Sequence, residues 1–153
     1  LCKKNHVECE MFHDYYINEP GTILSGSNTV YQKFTPYYEK SIIEGDFKNP
    51  SKVNLRNLSN TTKTIEKTLT LENAMKKFVN KENDNLVVHG GRDLGLTQLK
   101  QALVRTKDYK DDRDDMSKET SILSAYIKFG CVSIREVYHA FKKKFGLHHA
   151  RIA

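Results

Sequence analysis

Three hydroxyl side chains stand close together from Thr120 onward, and they are the best-suited residues of this chain for binding an anion. Thr120, Ser121 and Ser124 fall at and just inside the start of a predicted helix. The first N–H groups of a helix have no partner within it, and the helix dipole is positive at that end, so phosphate groups are stabilised there. Ile122 and Leu123 would seat the helix in a core. Ordinary capping is nevertheless the commoner reason for such a segment.

The elements around this segment are predicted to be helices. A helix that Thr120 caps runs to Gly130, and Ser133 with Glu136 forms a capping box, in which each side chain satisfies the other's backbone N–H group. The charged run of residues 107–119 is predicted to be a solvated loop. Apolar residues recur at helical spacing on both sides of the segment: Leu96, Leu99 and Leu103 before it, and Ile134, Val137, Phe141 and Phe145 after it.

The front of the chain is predicted to be less regular. The first dozen residues are compatible with a helix that has a poor apolar face, and residues 15–17 form a short β-prone run. Turn-forming residues follow at 18–21 and again at 25–28.

One helix is predicted in the front half, with Thr35 as its N-cap and Pro36 at its first position. Gly45 is expected to end it. Residues 46–68 are a polar connector, and residues 69–79 fit either a short helix or an extended stretch.

Several motifs in the back half resemble the photolyase/cryptochrome family. Residues 120–138 resemble the family pattern Thr-Ser-x-Leu-Ser-x-Tyr-Leu-x-x-Gly-x-(Ile/Leu)-Ser-x-Arg-(Glu/Gln), and they read TSILSAYIKFGCVSIREVY. Tyr109 with Arg113-Asp114 is similar to the family's Tyr-x-x-x-Arg-Asp. Gly90-Gly91 is similar to the Gly-Gly at the opening of the family's first helix in the FAD-binding domain.

The front half carries a separate similarity to the same family. Residues 20–24 (PGTIL), Tyr31 and residues 34–37 (FTPY) resemble Pro-Gly-x-(Ile/Val), then Tyr-x-x-Phe-Thr-Pro-(Phe/Tyr). Two motifs in the family's order are much harder to obtain by chance than either motif alone.

The resemblance implies a mainly α fold. It comprises the end of the photolyase α/β domain and the interdomain connector, followed by the first helices of the all-α FAD-binding domain. Residues 1–14 would be the last helix of the α/β (antenna) domain, residues 15–88 the connector, and residues 89–153 the N-terminal part of the FAD-binding domain.

The resemblance also implies roles for single residues. In the family the hydroxyls grip the diphosphate of FAD, and the tyrosine touches the flavin. The residues assigned to FAD in this way are Tyr109, Thr120, Ser121, Ile122, Leu123 and Ser124. Arg113 would lie on the rim that faces damaged DNA. No catalytic residue and no metal ligand is implied.

Some family features are missing from this sequence. The chain has no tryptophan, whereas family members continue past the equivalent of His149 into a Trp-Arg helix and a tryptophan chain that photoreduces the flavin. Asp115-Met116 stands where the family has a proline. We therefore expect a truncated or split deoxyribodipyrimidine photo-lyase-like protein, related to light-driven, FAD-dependent repair of pyrimidine dimers. It would be inactive alone, and the other helices of the flavin domain would either come from a second polypeptide or not be supplied at all.

Two other functions stay open at this point. One is a small basic helical module that binds nucleic acid through Lys142-Lys143-Lys144, with Tyr138 interleaving between bases. The ordinary structural explanation is that the lysines lie at a solvated helix end, where their charge complements the helix dipole. The other is a cryptochrome-type signalling fragment without repair activity.

Composition limits the class of protein. A net charge of +6 and a pI near 9.1 permit an acidic partner such as nucleic acid, but the charge is spread along the chain. Three cysteines at no metal-binding spacing favour reduced thiols in a cytoplasmic or nuclear compartment rather than secretion. The histidines are scattered, and the adjacent His148 and His149 cannot chelate from one helix face, so no metal is expected. No apolar run is long enough to span a membrane.

Overall fold

A computed structural model describes most of the chain. The described residues are 2–10, 12–13, 15–45, 47–52, 56, 68–79, 81 and 83–146. Within them the chain is mainly helical and has no strand, which confirms the predicted mainly α class. Most of the polar connector and the His148-His149 pair lie outside the described residues. The chain divides into two compact units, residues 1–50 with 90–153, and residues 51–89.

Six α-helices are found in the described residues. They are α1 (Phe34–Glu44), α2 (Leu71–Phe78), α3 (Arg92–Arg105), α4 (Tyr109–Asp112), α5 (Ser124–Lys128) and α6 (Ile134–Phe145). Two 3-10 turns add to them, Lys3–Asn5 and Thr106–Asp108.

The helix predicted over the first dozen residues is wrong for the part that is described. Only the 3-10 turn Lys3–Asn5 forms, it buries no residue, and it ends at His6 with φ 54°. Val7 and Phe12 are exposed by 59% and 78%, so the poor apolar face has nothing to pack against. The β-prone residues 15–17 form bends and no strand.

The front helix is confirmed, but its start was predicted too late. Lys33 is the N-cap of α1, so Thr35 and Pro36 lie inside the first turn. Pro36 is tolerated there because an N–H group in the first turn has no helical partner to lose. Gly45 ends the helix as predicted, donating its N–H group to the Ser41 carbonyl over 2.8 Å.

Both predicted turns before this helix are confirmed. The N–H group of Thr22 donates to the carbonyl of Glu19 over 3.1 Å, and that of Asn28 donates to the carbonyl of Ser25 over 3.0 Å.

The core of the first unit lies between α3, α5 and α6. Its buried apolar residues from these helices and their connections are Leu99, Ala102, Leu123, Tyr126, Val132, Tyr138 and Phe141. Gly95 allows α3 to approach closely, since a Cβ atom there would lie 2.7 Å from a methyl carbon of Val132 and 3.1 Å from the Tyr126 ring. Each predicted apolar stripe places one residue in this core, Leu99 from α3 and Phe141 from α6, while the other stripe residues are half-buried.

The charged run of residues 107–119 is only partly the loop that was predicted. The Thr106–Asp108 turn and α4 occupy its first half, and turns follow from Arg113. The hydroxyl of Thr106 donates to the Ala102 carbonyl over 2.7 Å and is buried. This local bond attaches the 3-10 turn to the end of α3, so the chain stays helical beyond it.

The second unit contains α2. Thr70 is its N-cap and accepts a hydrogen bond from the N–H group of Asn73 over 3.2 Å, which stabilises the start of the helix. Of the two structures predicted for residues 69–79, the short helix is therefore the one that forms. Leu71, Met75 and Phe78 are exposed.

Candidate functional site

Five of the six residues predicted to contact FAD line a single open pocket of about 410 Å³ in the first unit. They are Tyr109, Thr120, Ser121, Leu123 and Ser124. Ile122, the sixth, does not line it. The structure thus brings together a tyrosine from α4, two hydroxyls from the chain before α5 and the hydroxyl of Ser124 at the first position of α5.

The helix start predicted at Thr120 is wrong. Helix α5 begins at Ser124 with Leu123 as its N-cap, and Thr120 and Ser121 lie in non-helical chain before it. The reason is Ile122, whose φ of 51° is left-handed and incompatible with a continuing right-handed helix. Because α5 has only five residues, its dipole adds little, and binding of an anion here depends on the hydroxyl groups.

These hydroxyl groups are available to a ligand. Among the described residues, none forms a hydrogen bond with the side chains of Thr120, Ser121 or Ser124. Leu123, by contrast, is only 2% exposed and anchors the segment in the core. The segment therefore has one buried anchor and three hydroxyls beside the pocket that form no hydrogen bond with another described residue.

Most of the other residues that line the pocket are apolar. They include Ile127, Val137, Phe141 and Tyr138. The Tyr138 ring stacks on Phe47 with centroids 4.5 Å apart and planes 8° from parallel. Burial raises the pKa of Tyr138, and its hydroxyl has no partner in the described part of the chain. A pocket lined by both hydroxyl and apolar side chains suits an organic ligand that carries a polar group.

No charged side chain lines this pocket within the described residues. Arg105 forms an ion pair with Glu119, which directly precedes Thr120, at a distance of 2.6 Å. Hydroxyl and backbone N–H groups would therefore be the donors for a phosphate.

Arg113, the residue predicted to contact DNA, is not part of the pocket. It lies in the exposed turn after α4, where its Nε atom is 3.5 Å from the Asp114 carboxylate. The surrounding residues 107–119 include four basic and six acidic side chains. This surface is therefore not strongly basic.

The predicted role of Tyr138 in stacking with bases is wrong. Tyr138 is 6% exposed and already stacks on Phe47. The amino groups of Lys142 and Lys144 lie 5.9 and 5.6 Å from the ring centroids of Tyr138 and Phe145. The lysine run thus covers aromatic rings of its own helix, which weakens the case for a nucleic-acid module.

Sequence reasoning missed several residues at this site, three of them polar. Thr106 and Tyr138 line the pocket, and the side chain of Gln98 donates to the carbonyl of Ser121 over 2.8 Å. Thr106 lies three residues before Tyr109 in the chain, which is a weak indication that it belongs to the same pocket. No motif or spacing marks Gln98, because its partner is far along the chain.

The described residues contain no group of three or more His, Cys, Asp or Glu side chains able to hold a metal ion. None of their helices is long and apolar enough to cross a membrane.

The chain is similar to a photo-lyase along most of its length. It is 30% identical over 142 residues to the deoxyribodipyrimidine photo-lyase of Alkalihalophilus pseudofirmus. The match covers 89% of this chain and 29% of the relative, so the chain spans less than a third of that protein. No family model and no solved structure matches the chain.

Proposed function

We propose that this chain is part of a photolyase-like flavoprotein and forms the phosphate-binding side of its FAD pocket. The observation that carries the proposal is the pocket that Tyr109 shares with the hydroxyls of Thr120, Ser121 and Ser124. The similarity to a photo-lyase over 89% of the chain supports it independently.

The chain's own share in the reaction is binding. The three hydroxyls would donate hydrogen bonds to the diphosphate oxygens, and such bonds to a charged acceptor are stronger than neutral ones. Tyr109 and the apolar lining residues would hold the less polar part of the cofactor and exclude water. When bound, FAD supplies the light-driven electron transfer, and the protein supplies orientation.

Repair of pyrimidine dimers in DNA is proposed for the complete protein. Since the chain spans 29% of the relative, the contacts to the flavin ring are expected from the remaining part, either in the same protein or in a second polypeptide. None of the pocket residues is assigned a catalytic role. The isolated chain is therefore expected to bind FAD weakly and to repair nothing.

Removing two hydroxyls tests the binding role. The double variant Ser121→Ala/Ser124→Ala should bind FAD and ADP more weakly by about 1–3 kcal/mol, because hydrogen bonds to charged groups are lost. Titration calorimetry of the purified chain with each nucleotide measures the change. Thr97→Ala is the control, since Thr97 is an exposed hydroxyl residue of α3 that does not line the pocket.

Two results would count against this role. One is unchanged affinity in the double variant while the wild-type chain binds. The other is a wild-type chain that binds neither FAD nor ADP at millimolar concentration.

Damaged DNA is the proposed partner of the complete protein, with Arg113 as a phosphate contact. If this is so, Arg113→Gln should reduce the steepness of log K against log salt by about 0.9, the slope for one phosphate. Binding to a dimer-containing duplex at several salt concentrations measures it. Lys107→Gln, in the same charged run, is the matched control, and equal slopes for the two variants would exclude a specific contact by Arg113.

A further inference from the structure

The hydroxyl-bearing segment before α5 is attached to α3 at two points. The side-chain amide of Gln98 donates to the backbone carbonyl of Ser121 over 2.8 Å, in a part-buried position. Arg105 donates to the carboxylate of Glu119 over 2.6 Å.

The spacing of these contacts fixes the direction of the segment. Gln98 and Arg105 lie seven residues apart on α3, which places them on one face about 10 Å apart. Their partners, Glu119 and Ser121, are two residues apart and span about 7 Å of extended chain. The segment therefore runs antiparallel along α3.

The two attachments are not equivalent. The Glu119 side chain is 66% exposed and that of Arg105 is 27% exposed, so solvent screens their ion pair. The Gln98 bond is shielded and acts directly on the backbone of Ser121. Gln98 is thus the stronger constraint on the segment.

The next residue shows why such a constraint is needed. Ile122 is β-branched and adopts φ 51°, a conformation that persists only where the flanking chain is held. Leu123 is held on one side by burial. On the other side, Ser121 is held by Gln98.

We propose that Gln98 is a positioning residue of the anion site. By fixing the Ser121 carbonyl, it holds the left-handed turn at Ile122, and the turn brings the hydroxyls of Thr120, Ser121 and Ser124 to one pocket. The role is preorganisation, since Gln98 does not itself line the pocket. This inference rests on the proposed binding of a dinucleotide at that pocket.

The test replaces the amide donor and measures binding to FAD and ADP. Gln98→Met keeps the length of the side chain but cannot donate a hydrogen bond. We expect the affinity for FAD and ADP to fall about 5–10-fold, which corresponds to the loss of one hydrogen bond. Gln101→Met is the matched control, because Gln101 is exposed on the same helix. Gln98→Asn, which is too short to reach Ser121, is the second variant should the first not fold.

A double-mutant cycle separates positioning from general stability. In the Ser121→Ala/Ser124→Ala background, Gln98→Met should lower the affinity by a smaller factor than in the wild type, because two of the three hydroxyls that it positions are absent. An equal loss in both backgrounds, or equal affinities of Gln98→Met and Gln101→Met, would overturn the inference.

Amide hydrogen exchange gives a readout without ligand. In Gln98→Met, residues 119–124 should exchange faster than in the wild type, while α6 should not change. If the wild-type chain binds no nucleotide, the proposed function fails, and this exchange measurement still decides whether Gln98 holds the segment. Unchanged exchange in residues 119–124 would refute that as well.

Discussion

The contact between Arg92 and Glu136 joins the start of α3 to the start of α6, and Glu136→Gln is expected to destabilise the chain. Arg92 donates to both carboxylate oxygens of Glu136, over 2.6 and 2.5 Å, and also to the carbonyl of Cys131 over 3.0 Å. The same carboxylate accepts the N–H group of Ser133 over 2.9 Å, which completes the capping box. One side chain therefore serves two helix starts.

The magnitude follows from the exposure of the pair. The Arg92 side chain is 51% exposed, so solvent screens the charge, and a two-pronged pair of this kind contributes about 1 kcal/mol. Glutamine keeps one oxygen for Ser133 but turns its NH2 group toward Arg92. We therefore expect Glu136→Gln to cost about 1 kcal/mol at pH 7 and Glu136→Ala, which also removes the cap, about 2 kcal/mol.

The effect should depend on pH. Mainly the hydrogen bonds from Arg92, then the N–H group of Ser133, hold the pKa of Glu136 below its ordinary value of 4.5. A depressed folded pKa gives stability that is present above the unfolded value and is lost as the pH falls through the folded value. The difference between wild type and Glu136→Gln should thus close below about pH 4.5.

Urea unfolding followed by circular dichroism measures both effects between pH 7 and pH 3. Glu39→Gln is the control, since Glu39 is an exposed residue of α1. Equal stabilities of the two variants at pH 7, or a gap that stays constant down to pH 3, would refute the reasoning.

Two further stability changes can be measured by the same unfolding assay. Gly95→Ala should lower the free energy of unfolding by about 1–3 kcal/mol, because its Cβ atom would press on Val132. Gly90→Ala is the control and should be neutral, since a Cβ atom there would have no atom within 4 Å. Equal effects of the two substitutions would contradict the close approach of α3 to Val132. Tyr138→Phe should raise the free energy of unfolding by about 1 kcal/mol, because it removes a buried hydroxyl that has no partner in the described chain. A clear loss of stability would show that this hydroxyl does have a hydrogen-bond partner.

The sequence predicted local features well. The capping box of Ser133 and Glu136 is a contact across three residues, and the apolar stripes of α3 and α6 follow from helical spacing alone, so both were within reach of the sequence. That Tyr109 and the residues from Thr120 onward line the same pocket was expected only from the family resemblance. Nothing in the spacing of these residues placed them at one pocket.

What the sequence did not show depends on distant partners. The helix start at Thr120 was misplaced because Ile122 turns left-handed, which its residue type disfavours and which only the surrounding packing imposes. In one alternative function Tyr138 was expected to interleave with bases, but its ring stacks on Phe47, far along the chain. Local preference favoured helix and exposure at these positions, and tertiary contacts decided otherwise.

The misplaced helix start changes the physical basis of the proposed site. A helix N-terminus would attract an anion through its dipole. This attraction acts at some distance and depends little on the position of any single side chain. The proposed site has two hydroxyls on non-helical chain, a third at the first position of α5, and no charged side chain among its described lining, so it would bind by short, directional hydrogen bonds. Such bonds are strong only when several donors converge on the same oxygens. Retention of a dinucleotide would therefore depend on the backbone of Ser121 more than on the net charge of +6.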